Sequence, residues 1–169
     1  IDDYTKAIEL NPDYADAYNN RGNAYLDLEQ YDKAIDDYTK VIQLSPDDAD
    51  AYYNRGLAYR KSEQYDNSID DFTKAIQLNP DLAEAYFNRG NAYLDLEQYD
   101  KAIDDYTKAI VLNPDDADAY YNRGLGYAYS GQYEKALNDW DKALEIDPNH
   151  SGAIKNRNIL LEEHPELKP

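Results

Sequence analysis

Proline recurs at Pro12, Pro46, Pro80, Pro114 and Pro148, each 34 residues after the one before. Arginine keeps the same interval at Arg21, Arg55, Arg89, Arg123 and Arg157, and alanine does so at Ala17, Ala51, Ala85, Ala119 and Ala153. Three columns in step at this period mean a chain built from one supersecondary unit, repeated and stacked, because a lone unit of that size cannot bury its own apolar face.

The punctuation inside the unit names its parts. Each proline is followed by an aspartate and, three residues further on, by a second acid: Asp13/Asp16, Asp47/Asp50, Asp81/Glu84 and Asp115/Asp118. Carboxylates belong at the positive end of a helix, so the pattern predicts a capped helix start there. This first helix, A, runs about 14 residues, the ordinary length of a globular helix. A break at Glu29-Gln30 follows, and then a second helix, B, "YDKAIDDYTKVIQL", which ends before the next proline because proline cannot continue it. Four full units result, 15–48, 49–82, 83–116 and 117–150. A leading helix B stands before them in 1–14, and a capping helix from Ser151 to about Glu163, with its tail, fills 151–169. A longer period overlies the first: residues 19–42 and 87–110 agree at 22 of 24 positions, so any exposed face should alternate in character every second unit.

Composition narrows the function classes. A length of 169 residues suits one domain, here a single array. The formal charge of -18 repels nucleic-acid phosphates and anionic membranes and favours neutral or basic partners. With no cysteine, disulfides and thiolate metal sites are excluded. Mean hydropathy is -0.94, and no apolar run approaches the ~20 residues of a spanning helix. The start at Ile1 without methionine reads as an excised fragment, and a cytoplasmic setting is the expectation. Nineteen tyrosines against two phenylalanines and one tryptophan supply the aromatic area for a core.

With each unit numbered from its first residue (Ala15 in the first), Tyr18, Gly22, Tyr25, Ala34, Tyr38, Val41 and Pro46 stand at positions 4, 8, 11, 20, 24, 27 and 32. The fourth unit places Tyr120, Gly124, Tyr127, Ala136, Trp140, Ala143 and Pro148 there. This pattern resembles the tetratricopeptide repeat over nearly the whole chain. The resemblance implies an all-α, right-handed superhelical solenoid of antiparallel helix pairs and a protein-binding role. Departures are Arg at position 7, Ser68 for Ala at position 20, and Glu29, Glu63 and Glu97 at position 15, where only the last unit has Gly131. If that turn is left-handed, each glutamate carries roughly 1 kcal/mol of strain.

On a helical wheel, positions 4, 8 and 11 lie within about 40° of one another and form the face toward helix B. Glycine at 8 is expected to meet alanine at 20 and let the backbones close. Position 6 lies about 160–200° away, with 2, 9 and 13. It is asparagine throughout: Asn20, Asn54, Asn88, Asn122 and Asn156. An asparagine side chain both donates and accepts, so it can pair with a peptide amide as a strand neighbour does. In the family this face lines a concave groove, and the column resembles the asparagine ladder of the peptide-binding superhelix in O-linked sugar transferases. The same face carries Asn19, Tyr53, Phe87 and Tyr121 at position 5, and Asn23, Leu57, Asn91 and Leu125 at position 9. Position 2 is acidic throughout, as Asp16, Asp50, Glu84 and Asp118. Chaperone-binding members of the family clamp a C-terminal carboxylate with lysine and arginine on this face; acid at 2 and asparagine at 6 argue against that here.

The arginines at position 7 sit at the edge of the core face, at the same angle as Asp37, Asp71, Asp105 and Asp139 on helix B. Paired guanidinium and carboxylate groups are expected, Arg21 with Asp37 or with Asp3, with an anion-binding arginine ladder as the alternative. Two histidines, His150 and His164, and no phosphate loop or metal-ligand spacing give no catalytic constellation, no cofactor and no metal. The chain therefore reads as a non-enzymatic module for an extended neutral-to-basic peptide or protein segment. The alternatives are a self-associating scaffold, a homo-oligomer joined through the uncovered N-terminal helix, or a repeat array without a ligand.

Overall fold

The structure, a computed structural model, describes residues 1–167. Among them it contains α-helices and one terminal 3-10 turn, with no strand. The helices are α1 (Asp2–Leu10), α2 (Ala15–Asp27), α3 (Tyr31–Leu44), α4 (Ala49–Lys61), α5 (Tyr65–Leu78), α6 (Ala83–Asp95), α7 (Tyr99–Leu112), α8 (Ala117–Tyr129), α9 (Tyr133–Ile146) and α10 (Ser151–Glu163). Even-numbered helices are the A helices of the repeat and odd-numbered ones the B helices. The chain forms two compact units, Ile1–Asn88 and a second beginning at Arg89. In the first, α1 packs on α2, α2 pairs with α3, α3 touches α4, and α4 pairs with α5. In the second, α7 packs on α8, α8 pairs with α9, and α9 meets α10.

Each hairpin closes where a glycine of helix A faces the position-24 ring of helix B. A Cβ added at Gly56 would stand 2.8 Å from Cε1 of Phe72, and one at Gly124 would stand 2.5 Å from Nε1 of Trp140. Any side chain there must push the ring away, because the interior is already packed to crystal density. The glycine thus makes room for an aromatic ring, not for the position-20 alanine that the sequence reading paired with it. Tyr38, Phe72 and Tyr106 are fully buried and Trp140 nearly so. Tyr38 is shared between successive hairpins, since it clusters with Ala34 of α3 and Ala58 of α4.

The turns between A and B are left-handed. Glu29, Glu63 and Glu97 have φ of 57°, 62° and 58°, where Gly131 has 77°. Helix starts differ from the expected capping. The N-cap is the second residue after the proline: Asp48 accepts from the amides of Asp50 and Ala51, and Asp116 from that of Ala119. Asp47 and Asp115 fall one residue too early for that role. α2 begins at Tyr14 with no side-chain cap, and α10 is capped by His150. α1 buries none of its residues, leaving Leu10 77% exposed.

One position departs from the packing rule. Ser68 replaces alanine at the hairpin contact, is fully buried, and its Oγ has no hydrogen-bond partner. A buried unpaired hydroxyl costs about 1–3 kcal/mol. Gly56→Ala is therefore expected to lose about 1–3 kcal/mol in urea unfolding, the cost of overpacking against the Phe72 ring. Ser68→Ala, on the facing helix one turn before Phe72, is expected to gain about 1 kcal/mol. Neutral behaviour of both variants would refute this account of the contact.

Candidate functional site

The face singled out by the asparagine column is built inside each unit by a recurring bond. The Nδ2 amide of a position-6 asparagine donates to the position-5 side chain of the preceding repeat. In the first unit Asn54 donates to Oδ1 of Asn19 at 3.4 Å and Asn88 to the Tyr53 hydroxyl at 3.2 Å. Asn88 also donates to the Glu84 carbonyl at 2.9 Å, so its Oδ1 is the atom left to meet a ligand. In the second unit Asn156 donates to the Tyr121 hydroxyl at 3.1 Å. Asn20 is exposed, while Phe87 and Asn122 are half-buried. Burial, aided by the nearby Glu84 carboxylate, pushes the Tyr53 hydroxyl above its ordinary pKa, and burial does the same to Tyr121. Both therefore stay neutral hydrogen-bonding groups at physiological pH.

The alternation at position 9 has a cause in the core. Asn23 accepts from the Tyr38 hydroxyl at 2.7 Å, and Asn91 accepts from that of Tyr106 at 2.8 Å. A buried phenol must find an acceptor. Where the ring is Phe72 or Trp140 no such acceptor is needed, and position 9 is Leu57 or Leu125. Trp140 instead donates its Nε1 to the Tyr121 carbonyl at 3.2 Å. Of the position-2 acids, Asp16, Asp50 and Glu84 are exposed, and Asp118 meets Nε2 of His150 at 3.0 Å. His150 was given no role in the sequence reading. Its Nδ1 accepts from the Ala153 amide at 3.1 Å and its ring lies 4.7 Å from that of Tyr121. Only the neutral Nε2–H tautomer makes both bonds, and a histidine in the usual proline-adjacent cap position was the available signal.

The arginine column is a set of staples. Arg55 donates Nε and Nη2 to the two carboxylate oxygens of Asp71, both at 2.7 Å, and Nη1 to Oγ1 of Thr39 on the preceding helix B at 3.0 Å. Arg21 does the same with Asp37 and Thr5, and Arg123 with Asp139 and Thr107; Arg89 is bidentate on Asp105. Each staple joins its own hairpin and, where threonine accepts, the hairpin before it. The Arg55 guanidinium also lies 5.7 Å from each of the Tyr52 and Tyr59 rings, a cation–π sandwich. The threonine column, Thr5, Thr39, Thr73 and Thr107, was visible at the same 34-residue spacing and went unused. In the last unit Asp141 stands where the others have threonine and pairs with Arg157.

Electrostatics of the staple pull in two directions. The hydrogen bond to Asp71 raises the Arg55 pKa, while burial, opposed by Arg55, raises that of Asp71; burial likewise raises Asp105. Among the described residues no three or more His, Asp or Glu gather as metal ligands, and no helix is long and apolar enough to cross a membrane.

A fold of stacked antiparallel helix pairs with a polar, acid-lined helix-A face defines a repeat protein of the kind that binds other proteins. Models of the tetratricopeptide repeat match residues 3–36, 49–82, 83–116 and 117–150, and a further TPR repeat model matches 22–62. The chain belongs to the tetratricopeptide repeat family and is a protein-interaction module. Among solved structures, a crystal structure of MamA is 31% identical with a TM-score of 0.83, over 88% of this chain and 86% of that one. MamA 41-end from Desulfovibrio magneticus RS-1, 24% identical with a TM-score of 0.85 over 90% and 86%, shares the fold. The first TPR of Spaghetti (RPAP3), bound to an HSP90 peptide, is 29% identical with a TM-score of 0.67 over 68% and 91%. Among curated protein sequences none matches the chain.

Two outcomes test the staples. Arg55→Leu leaves a buried carboxylate unpaired and is expected to cost about 3 kcal/mol; adding Asp71→Leu should restore more than half of that, which a double-mutant cycle by urea unfolding measures. The second concerns pH. An aspartate whose folded pKa lies above its ordinary 3.8 contributes stability that is complete below that value and is lost as pH rises through the raised one. Asp71 and Asp105 thus oppose folding once ionised, as does the net charge of -18. The thermal midpoint followed by circular dichroism is expected to rise as pH falls from about 7 toward the ordinary aspartate value of 3.8. A fall over that range would contradict both causes.

Proposed function

We propose that the helix-A face binds an extended, neutral-to-basic peptide segment, without catalysis. The observation that carries this is the asparagine column. Asn54, Asn88 and Asn156 are each oriented through Nδ2 by the preceding repeat, so their remaining amide oxygens need not be ordered when a ligand arrives. Amide oxygens accept from peptide N–H groups, and the acids Asp16, Asp50 and Glu84 attract lysine or arginine. Tyr53 and Phe87 in the first unit, and Tyr121 in the second, offer apolar surface beside the asparagines. The Spaghetti structure supports a peptide as the class of ligand. With no lysine or arginine at positions 2 or 6, however, this face does not suit a carboxylate-clamped peptide. Exposed Tyr4 and Leu10 on α1 favour the second reading, self-association. The net charge of -18 works against contact between two copies.

A peptide array probed with the protein at low salt is expected to select sequences rich in lysine and arginine. In fluorescence anisotropy, Asn54→Ala/Asn88→Ala should weaken the best of these about tenfold or more, from two lost hydrogen bonds. Binding unchanged by that pair, and mapped to helix B, would overturn the proposal.

A further inference from the structure

A cavity of about 280 Å³ opens between α8, α9 and α10 in the second unit. Leu125 and Ala128 of α8 form one wall, Ile159 and Leu160 of α10 the other, and the Trp140 ring the floor. None of these except Leu125 belongs to the sites read from the sequence. Two apolar side chains sit exposed at its edge, Tyr129 at 61% and Ile159 at 41%. Exposed apolar groups flanking a concave apolar space are the usual mark of a binding anchor. The polar groups on its lining are the Tyr129 and Tyr133 side chains with their hydroxyls, Asn156, whose Nδ2 donates to the Tyr121 hydroxyl, and the exposed carboxylate of Glu163.

We infer that this cavity is an anchor pocket for one aromatic side chain of the peptide partner, with a lysine or arginine beside it in the peptide meeting Glu163. The inference rests on the peptide-binding reading above and adds a side-chain requirement to it. Size sets the occupant, since a cavity of ~150 Å³ lined by apolar groups already admits a benzene ring. Leu125 is available as a wall because Trp140, unlike the tyrosines at the same place in other repeats, asks no acceptor of position 9. α10 supplies the other wall with Ile159 and Leu160, where α6 carries Asn91-Ala92 and α8 Leu125-Gly126. Charge complementarity argues for a basic peptide: the lining carries a carboxylate and no cation. The same net charge of -18 argues against a second copy as occupant.

Trp140, the only tryptophan in the chain, reports directly on occupancy. The probes are two fluorescein-labelled nonapeptides of lysine, glycine and serine that differ at the central residue, phenylalanine in one and alanine in the other. The phenylalanine peptide is expected to bind about tenfold more tightly by anisotropy, the worth of burying one large apolar side chain. Its unlabelled form should also shift Trp140 emission, and the alanine form should not. Ala128→Phe, which fills the cavity, and Ile159→Ser, which changes only an exposed wall, should each remove the preference while leaving the circular dichroism spectrum intact. Asn54→Ala/Asn88→Ala should leave the preference and the Trp140 response in place. Equal affinities for the two peptides, with both weakened by the asparagine substitutions, would overturn the pocket and leave the groove. A preference that survives in Ile159→Ser, no binding of either peptide, or a concentration-dependent dimer that alone shifts Trp140 emission would each overturn the pocket as well.

Discussion

The approach of a helix-A glycine to the position-24 ring of helix B is the contact on which the rest of the molecule depends. It sets the separation of the hairpin, because a ring 2.8 Å from where a Cβ would stand at Gly56 tolerates no side chain. The ring reaches beyond its own hairpin to the next, as Tyr38 does with Ala58, so one contact fixes both the pair and the stack. Its hydroxyl, or lack of one, then decides a residue on the opposite side of helix A. Tyrosine calls for Asn23 or Asn91; phenylalanine and tryptophan permit Leu57 and Leu125. The two-repeat alternation at position 9 is thus a consequence of core chemistry.

The staples add register to this packing. A guanidinium held by two carboxylate oxygens, a threonine hydroxyl and two tyrosine faces has few alternative geometries, so a slipped hairpin would bury an unpaired charge. Burial raises Asp71 even with its partner present, so desolvation outweighs the attraction of Arg55. Specificity of register, more than net stability, is what such a pair supplies. At the C-terminal end the arrangement changes in two coupled ways. Arg157 pairs with Asp141, and His150 takes over the capping that Asp48 and Asp116 perform.

Packing orders the side chains of the face proposed to bind. Asn88 and Asn156 hold the hydroxyls of Tyr53 and Tyr121, and Tyr121 in turn lies against the tilted ring of His150, which also engages Asp118. A ligand seated there would meet groups already positioned by the fold, which lowers the ordering cost of association.

Much of this was legible from the residues. The 34-residue columns point to the helix boundaries within a residue or two, to arginines paired with helix-B aspartates and to the tetratricopeptide repeat family, because each depends on local chemistry repeated at a fixed interval. They raised a left-handed turn at position 15 only as a condition, and left Asp37 and Asp3 both open to Arg21. What the tertiary structure alone decided is which groups meet across helices. That the glycine faces a ring and not an alanine, that Asn23 answers the Tyr38 hydroxyl, and that α8, α9 and α10 leave a cavity over Trp140 all depend on side-chain reach and interhelical distance. A helical wheel gives the direction of a side chain, and contact needs distance as well.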